Sequence, residues 1–120
     1  NIIQYSGAYN NLYLVRDGEL IEYLADKMPI GIFDFTVKEF TSQNIPSRPG
    51  DFIYMFSDGY ADQFGGPKHK KFSYSALKTL LTEIHRHPIS KQKQILEKQF
   101  HDWKGELTQR DDVLIVGLQI

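Results

Sequence analysis

Two short apolar runs with almost no polar alternation stand out along the chain, at residues 52–57 and 113–118. The first run is β-branched and aromatic, which predicts a strand that is covered on both faces, and the second is a continuous apolar strand. Each run carries acids at one end, because Asp58 follows the first run while Asp111 and Asp112 precede the second. If the two strands are antiparallel neighbours, the end of one and the start of the other lie at the same edge of the sheet. The pattern therefore predicts that Asp58 and Asp111 converge.

The first half of the chain predicts further short strands. Residues 2–5, 12–15 and 20–24 have strand patterns, and Asp17-Gly18 is a strong hairpin signal, so we predict an antiparallel meander. Phe33, Phe35 and Val37 alternate with polar residues, which predicts a strand with one wet face. Residues 44–50 contain two prolines and predict a loop.

Helical periodicity follows in the second half. Apolar residues at the i, i+3, i+4, i+7 spacing predict an amphipathic helix: Leu77, Leu80, Leu81 and Ile84. Ser73 or Ser75 is the expected N-cap, and Pro88 ends this helix. Ser90 is the expected cap of a second helix that stops at Gly105. We expect six side chains of these helices to be buried against the sheet that contains residues 52–57: Leu77, Leu81, Ile84, Leu96, Phe100 and Trp103. The fold class is α+β, with helices laid over antiparallel strands.

Composition narrows the function classes. A length of 120 residues suffices for one domain with its own core. The net charge of −1 gives no reason to propose nucleic acid or an anionic membrane surface as the main partner. The absence of cysteine excludes disulfides, thiolate nucleophiles and cysteine-ligated zinc, and it fits a reducing compartment. With neither a bilayer-length apolar run nor a signal segment in this sequence, we expect a cytoplasmic location and no membrane contact by this segment.

Several segments together suggest a family. They are Gly50-Asp51, Ser57-Asp58-Gly59, Asp62 and Asp111-Asp112-Val113, preceded by the stretch from Tyr5 to Val15 and by Pro29-Ile30-Gly31. Their order and spacing resemble the PP2C-like (PPM) serine/threonine phosphatases over nearly the whole chain. The branch they resemble contains stage II sporulation protein E and the sigma-factor regulator phosphatases. The resemblance implies a PP2C-like β-sandwich flanked by helices, of which residues 1–120 form a partial domain, the C-terminal part.

The resemblance also implies a chemistry. In this family two Mn²⁺ or Mg²⁺ ions activate a water that attacks phosphoserine or phosphothreonine. By motif match, Asp58 and Asp111 are metal ligands, Asp112 stands where the family has Asp or Asn beside the metal, and Gly59 matters for backbone geometry. The family's first metal motif, an Asp-x-x-Gly-His-Gly type segment, does not occur in this sequence. We therefore expect an active parent protein and an inactive isolated chain.

The resemblance implies partners as well, and other functions stay open. The expected substrate is a phosphorylated protein in bacterial signalling, with an anti-sigma-factor antagonist as one candidate, and an upstream sensor or regulatory domain is expected. A non-catalytic phosphatase-like adaptor is the main alternative. A hydrolase that uses Asp58 and Asp111 as acid and base is a third hypothesis. Asp51 and Asp62 are interpreted as a turn acid and a solvated acid, and the basic cluster at residues 68–71 as a solvated loop rather than a phosphate-attracting site.

Overall fold

The computed structural model describes residues 1–31 and 38–120. Its elements in chain order are β1 (Ile2–Tyr5), β2 (Leu12–Arg16), β3 (Glu19–Tyr23), β4 (Gln43–Pro46), β5 (Phe52–Phe56), β6 (Phe64–Gly65), β7 (Lys70–Lys71), α1 (Tyr74–Ile84), α2 (Ile89–Lys104) and β8 (Ile115–Gln119). The strand predicted from Phe33, Phe35 and Val37 lies outside the described residues. The α+β fold class is confirmed.

The central sheet has the strand order β3-β2-β5-β8, and each neighbouring pair is antiparallel. Strands β5 and β8 pair along their full length, from Phe52 opposite Gln119 to Phe56 opposite Ile115. This pairing confirms the prediction that the two apolar runs are antiparallel neighbours. It also fixes which ends of the two strands meet.

The predicted meander is wrong for β1. Strand β1 pairs with β4 in a separate two-stranded sheet, with Ile3 opposite Ile45. Both edges of β2 are already occupied, by β3 and β5, so β1 has no place beside it. The partner β4 comes from residues 43–46, most of which were predicted as loop because of the prolines. Pro46 is the last residue of β4, where a missing N–H interrupts no ladder.

Strand β5 has buried residues on both faces, as its apolar run predicts, except that Met55 is exposed. On one face Phe52, Tyr54 and Phe56 join a core with both helices. On the other face Ile53 packs with a smaller core toward the β1–β4 sheet, whose buried members are Leu12, Leu14 and Ile45. The molecule therefore consists of helices, a central sheet and a second small sheet, in that order.

The helix ends agree in part with prediction. Ser73 caps α1, because its side-chain oxygen accepts a hydrogen bond from the Ala76 N–H at 3.2 Å. Gly105 follows α2 with φ 53°, as expected. The expected Ser90 cap is wrong: Pro88 occupies the N-cap position, and Ser90 lies inside the first turn. Proline suits this end of a helix because the first N–H groups have no partner within the helix.

Four of the six expected core side chains are buried, namely Leu77, Leu81, Ile84 and Phe100. The expectation is wrong for Leu96 and Trp103, which are only partly buried. Trp103 lies against the β6–β7 hairpin instead of the central sheet, with its ring centroid 5.6 Å from that of Phe72. Among the described residues, no helix has the length and apolar character needed to cross a membrane.

Candidate functional site

The backbone segments that carry the acids after β5 and before β8 meet at one edge of the central sheet. We call Asp58, Asp111 and Asp112 the acidic rim. The ladder continues past the ends of both strands, because the Ser57 N–H donates to the Leu114 carbonyl at 3.0 Å. The Ser57 hydroxyl donates to the Asp112 carbonyl at 3.0 Å and accepts from the Leu114 N–H at 3.1 Å. Ser57 therefore connects the backbone after β5 to the backbone before β8.

Gly59 lies directly against the backbone of Asp112. A Cβ atom at position 59 would stand 2.1 Å from the Asp112 carbonyl oxygen, a distance that no side chain tolerates. Glycine is required here because the two chain segments approach each other so closely. This contact agrees with the backbone role that the family resemblance implies, and it places Asp58, the preceding residue, beside the 111–112 segment.

The side chains of the acidic rim are exposed to solvent. One carboxylate oxygen of Asp111 accepts from the Asp112 N–H at 2.7 Å. Within residues 1–31 and 38–120, the carboxylates of Asp58 and Asp112 form neither a hydrogen bond nor an ion pair. Exposed carboxylates with open oxygens have the chemistry that a hard divalent cation prefers.

The donor set of this chain is nevertheless incomplete for a metal centre. The described residues contain no group of three or more histidine, cysteine or acidic side chains able to hold a metal ion. One Mg²⁺ held by one or two carboxylates fills its remaining positions with water or substrate phosphate, whereas a two-ion centre needs ligands for both ions. The rim thus fits part of such a site and does not form a whole one.

A polar pocket of about 280 Å³ includes Phe56, the last residue of β5, and its other lining residues are Tyr9, Asn10, Asn11, Tyr13, Glu22 and Tyr74. Burial, together with the negative charges of Asp62 and Asp58, raises the pKa of the Tyr74 hydroxyl. Glu22 accepts hydrogen bonds from Asn11 at 2.8 Å and from Lys78 at 2.6 Å. No local sequence signal relates residues 9–11 to Glu22 or Tyr74.

A larger cavity, of about 400 Å³, lies elsewhere, between α2 and β8. Its walls are mainly apolar, with Ile89, Leu96 and Phe100 among them, and it includes no acid of the rim. The larger of the two cavities is therefore not at the acidic rim.

The two other acids considered from the sequence have fixed partners. Asp51 is buried at the opposite end of β5, where Arg16 donates to its two carboxylate oxygens at 2.8 and 2.6 Å. Hydrogen bonding to Arg16 lowers the pKa of Asp51, and the Arg48 N–H contributes in the same direction against the effect of burial. Asp62 pairs with Lys71 at 3.3 Å. Interpreting Asp51 as a simple turn acid missed a buried ion pair that spans 35 positions of sequence.

Comparisons with known proteins agree with this architecture. Residues 3–120 match the family described as stage II sporulation protein E (SpoIIE). Among solved structures, the chain is similar to the SiaA-PP2C domain of Pseudomonas aeruginosa, with a TM-score of 0.88 and 27% sequence identity. The match covers 99% of this chain and 46% of that chain, so this chain spans less than half of the length of that structure. A search of the curated proteins finds no match.

The family match covers nearly every residue, and the similar structure is a PP2C domain with antiparallel sheets and flanking helices in common with this chain. The chain therefore belongs to the SpoIIE family, and its fold is that of part of a PP2C-like phosphatase domain.

Proposed function

We propose that this chain supplies part of the catalytic centre of a metal-dependent protein serine/threonine phosphatase. In the complete domain, Asp58 and Asp111 bind Mn²⁺ or Mg²⁺, with two ions at the centre. The observation that carries the proposal is the antiparallel pairing of β5 and β8, which brings the acids after one strand and before the other to one rim. Family membership and the similarity to a PP2C domain support the same reaction class.

The residues of this chain hold the rim in place. The Ser57 hydroxyl bridges the two strand ends with two hydrogen bonds, and Gly59 lets the 58–59 turn pack on the Asp112 backbone. Asp112 stands next to the ligand position and supports the 111–112 turn through its N–H, which bonds the Asp111 carboxylate. Divalent ions bound at such a centre supply an activated water and neutralise charge on phosphoryl oxygens.

The isolated chain lacks part of this centre. The two proposed ligands, Asp58 and Asp111, are fewer than a two-ion site requires, and the described residues contain no group of three acidic, histidine or cysteine side chains able to hold a metal ion. We therefore propose that residues outside this chain complete the site and that the chain alone has negligible activity.

The proposed substrate is a phosphorylated protein of a bacterial signalling system, with an anti-sigma-factor antagonist as one candidate and a sensor or regulatory domain upstream. The pocket at the Phe56 end of β5 supports a peptide substrate, because it offers tyrosine, asparagine and phenylalanine surfaces at the strand end that leads to Asp58. Such a mixed surface suits the residues that neighbour a phosphoserine in an extended peptide.

The test compares the isolated chain with the complete domain in Mn²⁺-dependent hydrolysis of p-nitrophenyl phosphate and of a phosphoserine peptide. We expect the complete domain to be active and the chain alone to be inactive. In the complete domain, Asp58→Asn and Asp111→Asn should each lower kcat by roughly a hundredfold or more, since an amide lacks the charge that holds a divalent ion. Glu97→Gln, at an exposed acid of α2, is the matched control and should leave kcat unchanged.

The outcomes separate the alternatives. Robust activity of the isolated chain would contradict the incomplete site. Full activity after Asp58→Asn would overturn the phosphatase proposal and leave the adaptor function. Activity that survives removal of divalent ions by a chelator would favour the hydrolase in which Asp58 and Asp111 act as acid and base.

A further inference from the structure

The short hairpin next to the rim is anchored with more contacts than its size requires. We call residues 64–71 the basic hairpin; it contains β6, β7 and the turn between them. Gln63, just before it, is buried, and its side-chain amide donates to the carbonyls of Phe64 at 2.9 Å and Thr108 at 3.1 Å. The Gln63 carbonyl accepts from the Phe72 N–H at 2.9 Å. The two ends of the basic hairpin are thereby tied together.

Trp103 of α2 forms the support under the basic hairpin. Its indole N–H donates to the Gln63 carbonyl at 2.9 Å, and its own carbonyl accepts from the Gly66 N–H at 2.9 Å. A Cβ at position 65 would lie 1.9 Å from the Trp103 carbonyl oxygen, and one at position 66 would lie 2.6 Å from the indole ring. The two glycines therefore allow the hairpin to lie directly on the tryptophan.

The outer part of the basic hairpin consists of cations. Residues 68–71 are three lysines and a histidine, all exposed, in a chain whose net charge is −1. Lys71 pairs with Asp62, whereas Lys68 and Lys70 form no ion pair with any residue that the structure describes. A solvated loop would need no buried glutamine and no tryptophan support. The exposed cations instead stand on a hairpin whose residues 63–66 are anchored on Trp103, and a surface held by a rigid scaffold is the usual arrangement of a binding site.

Residues close in sequence to both segments of the acidic rim, Asp62 and Arg110, contact the basic hairpin. The turn after β5 leads into it, since the Asp62 N–H donates to the Asp58 carbonyl at 2.9 Å and the Asp62 carboxylate pairs with Lys71. On the other side, the Arg110 guanidinium lies 4.8 Å from the centre of the Phe64 ring, and Asp111 is the next residue. A ligand with its phosphoryl group at the rim would therefore extend its neighbouring residues along the hairpin.

We propose that the basic hairpin binds, through Lys68 and Lys70, acidic residues that flank the phosphoserine or phosphothreonine of the protein substrate. The proposal rests on the proposed function for the position of the phosphoryl group and adds a preference for acidic sequence around it. Lysine suits this role because it is a mobile point charge that attracts carboxylates of varied geometry. Charges within about 10 Å attract each other at ordinary ionic strength, so the preference should weaken in high salt.

The test measures binding, not turnover. The complete domain carrying Asp58→Asn is titrated by fluorescence anisotropy against two phosphoserine peptides of equal length, one with Asp and Glu flanks and one with Ser and Gln flanks. We expect the acidic peptide to bind more tightly, and Lys68→Gln with Lys70→Gln to raise its Kd about fivefold at low salt. The Kd of the neutral peptide should change less than about twofold.

A matched control uses Lys91→Gln with Lys93→Gln. These exposed lysines stand in the first turns of α2, at the opposite end of that helix from Trp103, and removing them should leave both peptides unaffected. Equal weakening of the two peptides, or an equal effect of the control pair, would overturn the proposal. So would loss of binding to vesicles of phosphatidylserine and phosphatidylcholine with no change for either peptide, because the hairpin would then be a lipid contact.

Failure of the two proposals can be told apart. If Asp58→Asn leaves turnover intact while the lysine pair still discriminates between the peptides, the metal centre is wrong and the peptide contact stands. If turnover is lost as expected and the lysines make no difference to binding, the metal centre stands and the hairpin proposal fails.

Discussion

The two ends of β5 carry the same residue in opposite roles. Asp51 precedes the strand and is 1% exposed, with its carboxylate bound by Arg16 and by the Arg48 N–H. Asp58 follows the strand, is exposed, and forms no side-chain hydrogen bond or ion pair with the described residues. The strand between them is buried except at Met55. One acid holds the fold together, and the other stays available to a ligand.

The difference shows what makes an acid functional. A buried carboxylate persists only if its partners replace water, and Asp51 has such partners on both oxygens. An acid whose carboxylate oxygens have no partner, held on a rigid scaffold, can bind a ligand from outside the chain. Partner count, rather than residue type or closeness to the strand, separates the two roles.

We call the Asp51 end of β5 the closed end and the Asp58 end the open end. The largest expected effect on stability is at the closed end. Asp51→Asn should lower the free energy of unfolding by about 2–3 kcal/mol, because it removes a charge-assisted pair and leaves Arg16 without its partner. Asp58→Asn should change stability by less than about 0.5 kcal/mol, as an exposed substitution does. Denaturant titration of both variants measures the contrast. Equal losses would mean that Asp58 has a structural partner.

The glycines at the two ends of β5 give a second contrast. Gly59→Ala should cost about 2 kcal/mol and lower kcat, because the new methyl group would push the Asp112 backbone away from the rim. Gly50→Ala, at the closed end, has open space around its Cβ but a φ of +94°. It should cost about 1 kcal/mol through backbone strain and leave kcat unchanged. Denaturant titration together with kcat measurements checks both; a Gly59→Ala variant with wild-type kcat would contradict the tight rim.

Asp51 should also make stability depend on pH. Its pKa in the folded protein lies below the ordinary value of 3.8, so the unfolded chain binds the proton first as pH falls. The stabilisation is complete above that value and is lost as the pH falls through the folded-state pKa. Denaturation midpoints measured from neutral to strongly acidic pH should show a step below 3.8 that Asp51→Asn lacks. An identical profile for the variant would assign the step to another acid.

The smallest expected effect is at the edge of the open end. Asp112→Asn should lower kcat of the complete domain by less than about tenfold, since an amide keeps the size and hydrogen-bonding capacity of the side chain. The backbone contacts of Asp112 with Ser57 and Gly59 do not depend on the side chain at all. Steady-state kinetics of Asp112→Asn and Asp111→Asn gives the comparison. A decrease in kcat as large as that of Asp111→Asn would mean that Asp112 is itself a metal ligand.

The sequence by itself determined the elements whose signal is local. Each of the apolar runs that form β5 and β8 is an uninterrupted stretch of sequence. Because acids stand at the end of one run and the start of the other, antiparallel pairing puts them at one rim. The periodicity of α1 likewise identified Leu77, Leu81 and Ile84 as core residues. Family resemblance added what no pattern provides, namely the reaction expected at the rim.

Only the tertiary structure decided which distant segments meet. The pairing of β1 with β4 depends on the edges of β2 being occupied, and the Arg16–Asp51 pair joins positions that no local period relates. The position of Trp103 depends on two glycines almost forty residues earlier, so its helical spacing alone placed it wrongly in the central core. The basic cluster at residues 68–71 belongs to a hairpin that packs on Trp103 for the same reason. Local sequence patterns predict which face of an element is apolar. The packing of the whole domain determines which other element covers that face.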